Sequence, residues 1–267
     1  MDNILKQIVN KKKERIAKHK IDFPLNNILN NIKKVENLCD FKGALIKKKN
    51  EKKISIIAEI KKSSPSAGVL VKNFDVKKIA ENYINNGATA LSVLTEEDFF
   101  QGKLEFIKTI KESFNTPILC KDFFIDSYQV PLAKSFGADC ILIILSAIDK
   151  FLAHDIYQAA CDLNLSTIVE IHSAKEAEKA LSFEDSIIGI NNRNLKTLEI
   201  SLENSINLYK IVSSHKNPII SESGIHSSKE IKFIINETKI SNFLIGESLL
   251  TCNDLPSKMR EFAQIKL

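Results

Sequence analysis

No apolar run in this 267-residue chain approaches the roughly 20 residues that a bilayer-spanning helix needs, which excludes a helical membrane protein. The first residues, MDNILKQIVNKKKERIAKHK, are polar and basic without an apolar core or cleavage site, so no secretory leader is expected. Glycine and proline are few, at 8 and 6, while 44% of residues are hydrophobic; the chain is not a disordered one. Five cysteines (Cys39, Cys120, Cys140, Cys161 and Cys252) are scattered, odd in number and without a CxxC, as expected of reduced thiols in the cytoplasm. The five histidines form no HxH or HExxH pair, so no metal site is expected. There is no GxGxxG after the first strand and no Walker A lysine loop, which speaks against an open doubly wound sheet that binds nucleotides.

What the chain has is charge in unequal halves. Residues 1–53 hold 15 Lys and Arg against 6 Asp and Glu, within a net charge of +5. Their lysines are interleaved with Ile4, Ile8 and Ile16 at helical spacing and lack aromatic partners for stacking on bases. The expectation is a solvated amphipathic helix packed on the main domain, with no nucleic-acid or membrane partner.

The stretch Ile54–Leu70, ISIIAEIKKSSPSAGVL, organises the rest. It opens as a buried β-strand, and alternation puts Ile57, Glu59 and Lys61 on one face. Opposite charges on the inner face of an apolar strand are costly unless they pair or do chemistry. From there strands and helices alternate. Strands are expected at 88–94, 118–121, 139–145, 166–171, 187–191, 218–221 and 242–245. Helices are expected to open at Asp75, Asp126, Asp149, Ser173, Ser201 and Ser227, with Gly87 and Gly137 as stops. Ahead of them, helices are expected from Asp2 to about Lys18 and from Pro24 to Ile46. Eight strands alternating with eight helices imply an α/β fold, a closed (β/α)₈ barrel over 54–267 behind a helical extension over 1–53, all in a single domain. NGATALSVL (86–94) and FGADCILII (136–144) echo one another across two βα units.

In such a barrel the chemistry sits at the C-terminal strand ends and in the loops that follow. Those positions hold Glu59, Lys61, Lys121, Glu170, Asn191 with Arg193, Glu222 with Ser223, and Gly246. One polar strand end meets water as often as it meets substrate, but six strands of eight ending this way converge on an acid–base site. SGI (223–225) and IGE (245–247) follow the last two strands, where barrels often bind phosphate through backbone N–H groups, and Ser64 or Ser66 could complete that cradle.

The segments AEIKKSSPSAG (58–68), ALSVLTEEDFFQG (90–102), ILCKDFFID (118–126), TIVEIHS (167–173), GINNRNLKTLEI (189–200), SESGI (221–225) and FLIGESLL (243–250) closely resemble the indole-3-glycerol phosphate synthase family. The resemblance implies ring closure of 1-(2-carboxyphenylamino)-1-deoxyribulose 5-phosphate, with loss of carbon dioxide and water and with no cofactor. It also implies roles. Lys121 would be the general acid and Lys61 the partner of the anthranilate carboxylate. Glu170 would assist dehydration, Glu59 would hold the lysines, and Asn191 would position the substrate. Arg193 and Glu222 would support the site, and Phe123 would flank the aromatic ring. Ser64, Ser223, Gly224, Gly246 and Glu247 would hold the phosphate. Ser201 stands where the family commonly has Asp, and is expected to cap a helix equally well. The implied partner is a small anionic substrate and the implied state a monomer. A neighbouring phosphate-barrel activity, such as phosphoribosylanthranilate isomerase, or a non-catalytic phosphate-binding barrel are the alternatives.

Overall fold

A computed structural model describes residues 4–32, 38–195 and 197–267. Strands β1 (Ser55–Ile60), β2 (Ala90–Leu94), β3 (Ile118–Lys121), β4 (Cys140–Ile144), β5 (Ser166–Ile171), β6 (Ile187–Asn191), β7 (Ile219–Glu222) and β8 (Asn242–Ile245) run parallel. They close into a barrel as β8 pairs with β1, Ser55 opposite Asn242 and Ala58 opposite Ile245. The expected (β/α)₈ architecture is the observed one.

Alternation along each strand divides the labour. Ile56, Ala58 and Ile60 of β1 point outward into the belt of apolar residues under the helices. Ile57 points inward, where it packs with Leu119, Leu142, Ile168, Ile220 and Leu244. Full burial of such a side chain contributes about 1.5–3 kcal/mol. The filled interior forms the floor on which the polar strand ends stand.

Asp75, Asp149, Ser173 and Ser227 each accept a hydrogen bond from a backbone N–H in the first turn of the helix that follows. Gly87 and Gly137 take φ of 104° and 98° at two helix exits, a conformation that disfavours any side chain. Three expectations are corrected. The helix read from Pro24 to Ile46 is two helices, α2 (Leu25–Ile32) and α3 (Phe41–Asn50); Asp40 caps the second by accepting from Gly43 N, and residues 33–37 lie outside the described set. The helix expected to open at Asp126 begins at Gln129; Asp126 Oδ1 accepts from Tyr128 N at 2.9 Å in the turn before it, and the Gln129 side chain takes the N–H groups of Ile125 and Asp126. Ser201 caps nothing; its N–H donates to Asn192 O, tying it to the end of β6, and the helix begins at Glu203. The loop after β1 also holds a small antiparallel hairpin, Ser63–Ser64 against Gly68–Val69.

The first helix, α1 (Ile4–Asp22), runs four residues further than expected and lies over the loops that follow β2 and β3. Arg15 pairs with Glu97 at 2.8 Å and Asp98 at 2.7 Å, and Lys20 pairs with Asp126 at 2.6 Å. Lys12 departs from the expectation of a solvated face: it is 2% exposed and meets Asp122 at 2.7 Å.

Candidate active site

Lys121 ends β3 with its ammonium between two carboxylates, 2.9 Å from Glu170 Oε2 on β5 and 2.7 Å from Glu222 Oε2 on β7. Glu170 and Glu222 are 2% and 1% exposed, so three charged groups share a space from which water is nearly excluded. Asn191, ending β6, donates from Nδ2 to Glu170 Oε1 at 3.2 Å, while its Oδ1 accepts from Arg193 N and Ser223 Oγ at 2.9 Å each. On the far side of the mouth, Lys61 Nζ donates to Glu59 Oε1 at 2.6 Å.

Glycine makes room for these carboxylates. A Cβ on Gly189, inward-facing on β6, would lie 2.2 Å from Glu222 Oε1; one on Gly246 would lie 2.4 Å from Glu59 Oε1. Gly189 lies within β6 and Gly246 directly after β8, and a side chain at either would push a carboxylate aside.

The shared space sorts the protons. Burial disfavours the charge on Lys121, yet Glu170, Glu222 and Glu59 outweigh it and raise its pKa well above the usual lysine value. Burial also works against the charge on Glu170, but Lys121 and His172 hold its pKa below the ordinary carboxylate range. Glu222 goes the other way: burial and the Glu170 charge prevail over Lys121 and push it up to about 7. Two carboxylates around one ammonium thus have opposite proton affinities, the arrangement that separates base from acid.

A second corner of the mouth is formed by the loops after β7 and β8. Ser223 and Gly224, directly after β7, have φ of 69° and 77°, and a Cβ on Gly224 would lie 2.5 Å from Ile200 Cγ2. Gly246 leads into a single helical turn, Glu247–Leu250, where Ser248 Oγ donates to Ile225 O at 2.7 Å and ties the two loops together. Arg193 Nη2 stands 3.5 Å from Glu247 Oε2. Ser64 Oγ accepts from Ala67 N at 3.2 Å in the hairpin loop opposite.

One cavity, roughly 1240 Å³ with the open solvent at its mouth, is bordered by Glu59, Lys61, Ser64, Lys121, Phe123, Glu170, Asn191, Arg193, Glu222, Ser223, Gly224, Gly246 and Glu247. Every residue singled out in the sequence is therefore brought to the same place. The sequence reading missed the apolar wall supplied by α1, Ile4, Leu5 and Ile8, together with Leu195 and Ile200. It also missed Asp122, which accepts from Thr95 Oγ1 at 2.7 Å and from Phe123 N at 2.7 Å, and His172 beside Glu170. For both, the signal lay inside quoted motifs, in the D of KDFF and the H of VEIHS. Among the described residues, no group of three His, Cys, Asp or Glu side chains is placed to hold a metal ion.

Known proteins agree at two levels. Of solved structures, 3-hexulose-6-phosphate synthase superposes with a TM-score of 0.62 at 13% identity, covering 79% of this chain and 98% of its own. A thiamine phosphate pyrophosphorylase from Pyrococcus furiosus gives 0.56 at 14%, covering 80% and 95%; both likenesses concern the fold alone. In sequence, the indole-3-glycerol phosphate synthase of Campylobacter fetus subsp. fetus is 42% identical over 247 residues, 92% of this chain and 94% of that protein. The enzyme of the same name from Polaromonas sp. is 39% identical over 254 residues, 95% and 96% of the two chains. The family model for indole-3-glycerol phosphate synthase matches residues 5–262, from the α1 wall of the cavity to the last helix, and the chain belongs to that family.

Proposed function

We propose that Lys121 is the general acid of a ring closure carried out at this mouth, with Glu222 as the group that returns its proton. The family's activity is that of a carboxy-lyase of tryptophan biosynthesis, converting 1-(2-carboxyphenylamino)-1-deoxyribulose 5-phosphate to indole-3-glycerol phosphate, carbon dioxide and water, and this chain shares it. The observation that carries the assignment of roles is the ammonium of Lys121 held within 2.9 Å of two buried carboxylates, Glu170 and Glu222.

In this reading the substrate phosphate sits on Ser64, Ser223, Gly224, Gly246 and Glu247, the last through its backbone. The anthranilate carboxylate meets Lys61, and Phe123 flanks the aromatic ring. Anchors at opposite ends of a flexible substrate hold the aromatic carbon against the carbonyl, which removes much of the entropy of closure. Lys121 protonates the carbonyl oxygen as the carbon–carbon bond forms. Loss of carbon dioxide then leaves an electron pair that restores the ring. Glu170, kept ionised, takes the proton removed in dehydration, and Lys61 serves the departing hydroxyl. Glu59 keeps Lys61 in place, Asn191 orients Glu170, and Arg193 supports the phosphate loop through Glu247.

The partner is one small anionic molecule, and no nucleic-acid role is assigned to the basic α1: Lys12, Arg15 and Lys20 are engaged with barrel carboxylates. No helix among the described residues is long and apolar enough to cross a membrane. We place the protein in the cytoplasm, as a monomer and a single domain. The test is incubation of the purified protein with the carboxyphenylamino-deoxyribulose phosphate in the presence of chelator, following indole absorbance. Product formation is the expected result. A folded protein that binds the substrate and yields no indole product refutes the assignment.

A further inference from the structure

We propose that His172 is a positioning residue for Glu170: its ring, gripped from the other side by Glu176, holds the carboxylate that reaches Lys121, and holds it as a cation. The inference deepens the reading of Glu170 as the ionised proton acceptor and rests on it.

His172 follows β5, its side chain 10% exposed, and stands between two carboxylates. Its Nε2 is 3.2 Å from Glu170 Oε1 and its Nδ1 is 3.4 Å from Glu176 Oε2. Neither ring nitrogen is aligned for a hydrogen bond to a described group, so the link is one of charge and contact. Glu176 is itself fixed. Its Oε2 accepts from His172 N at 2.8 Å and its Oε1 from Ser173 Oγ at 3.0 Å, the same Ser173 that caps the helix Ala174–Ala180. With a neutral ring the buried Glu170 would have Lys121 as its one paired cation and the half-buried Glu176 would have none among the described residues, whereas an imidazolium serves both.

The consequence is an asymmetry around Lys121. Glu170 has Lys121 on Oε2, with Asn191 and His172 on Oε1. Glu222 has Lys121 on Oε2 and, among the described residues, no hydrogen-bond partner on Oε1. The second cation beside Glu170 is what separates two carboxylates that otherwise share the same lysine. Burial disfavours charge on His172, but Glu170 and Glu176 prevail and raise it to about 9. The charged groups facing the ring are Glu170 from its own strand and Glu176 from the following helix; Lys121 and Glu222, on β3 and β7, stand beyond Glu170.

The test is the pH profile of kcat for the wild type, His172→Gln and His172→Lys, with unfolding curves to establish that each variant folds. A charge within about 4–6 Å moves a carboxylate pKa by about 1–3 units. The acid limb of His172→Gln is therefore expected about 1–3 pH units higher than that of the wild type. Glu170 stays ionised near neutral pH, so there the loss comes from its misplacement: kcat should fall about tenfold while KM changes less than about threefold. His172→Lys, which restores a cation, should return the acid limb towards its original position. An unmoved acid limb, a loss confined to KM, or a lysine variant no better than the glutamine variant overturns the inference. Should His172→Gln fail to fold, Glu176→Gln removes the anchor and keeps the ring; a smaller shift of the same sign is then required. NMR titration of the His172 ring needs no turnover. The expected midpoint is about 9 in the wild type and lower in Glu170→Gln, and an ordinary midpoint in the wild type overturns the inference even in an active enzyme. A wild type that makes no product refutes the proposed reaction instead, and the ring titration still decides the role of His172.

Discussion

Replacing Gly189 by alanine tests the packing of the site at a residue that touches no substrate. The new Cβ would lie 2.2 Å from Glu222 Oε1 and 2.9 Å from Ile168 Cγ2, where ordinary contact begins at 3.4 Å. The β6 backbone is held on both sides, Gly189 opposite Glu170 on β5 and opposite Ile220 on β7, so the strand cannot swing away. The carboxylate must therefore retreat by about 1.2 Å, the difference between 3.4 and 2.2 Å, and its 2.7 Å contact with Lys121 breaks. Overpacking of this size costs about 1–3 kcal/mol. At this chain length that lowers Tm by roughly 2–10 °C and leaves a folded protein. The rate should suffer more, because a misplacement of about 1 Å in a catalytic constellation costs on the order of 10² in turnover. The assay is the initial rate of indole appearance at saturating substrate beside a thermal melt. In the double variant with Glu222→Asp, the shorter side chain no longer meets the methyl group, so the two losses should combine to less than their product. Turnover within about threefold of wild type in a folded Gly189→Ala protein, or losses that simply multiply, would refute the reasoning.

Lys121→Met should lower kcat by on the order of 10² or more, and near-normal turnover would remove Lys121 from the role of general acid. Glu170→Gln should lower kcat with little change in KM; equal losses in both would make it a positioning group. Lys12→Met leaves Asp122 without its cation. Breaking a buried pair costs up to about 3–5 kcal/mol, and here the cost should appear locally, as faster hydrogen exchange of α1 amides; unchanged exchange would show that the pair does not hold the helix. The pH dependence of stability should carry the signature of His172. With its native pKa raised from 6.5 to about 9, its contribution is complete below pH 6.5 and lost as pH rises through 9, by about 3 kcal/mol at most. Urea unfolding that is flat between pH 6.5 and 9.5 would mean the ring is not held as a cation.

The catalytic end was legible in sequence because a polar residue closing an apolar strand is visible without a structure. Lys121 after Ile-Leu-Cys and Glu170 after Thr-Ile-Val are such cases, and alternation alone set Glu59 on the inward face with Ile57. The N-terminal extension was not legible in the same way. Lys11, Lys12 and Lys13 were read together as one solvated run, yet Lys11 and Lys13 are exposed while Lys12 is buried on Asp122. Lys12 lies four residues after Ile8 and four before Ile16, so helical spacing sets it on their buried face; its partner, Asp122 in the β3 loop, is what the local pattern does not encode. Ser201 and Asp126 failed as helix openers for a related reason. Each had the right chemistry, but at Ser201 the backbone is tied to Asn192 O, and at Asp126 the side chain holds a turn that precedes the helix by three residues. His172 stood in a quoted motif, VEIHS, but its place between Glu170 and Glu176 became visible with the turn that joins β5 to its helix.

The seam between β1 and β8 has a consequence for how the protein is made. Lys61 and Lys121 lie in the first half of the chain, whereas Ser223, Gly224 and Gly246, the proposed anion seat, come from its last portion. In the proposed reading, a growing polypeptide carries both ammonium groups and Ser64 well before the rest of the phosphate seat. Only when β8 docks beside the waiting edge of β1 does Gly246 come against Glu59 and the ring become watertight. Competence for catalysis should thus arrive in one step, late in synthesis, as a property of closure and not of any segment by itself.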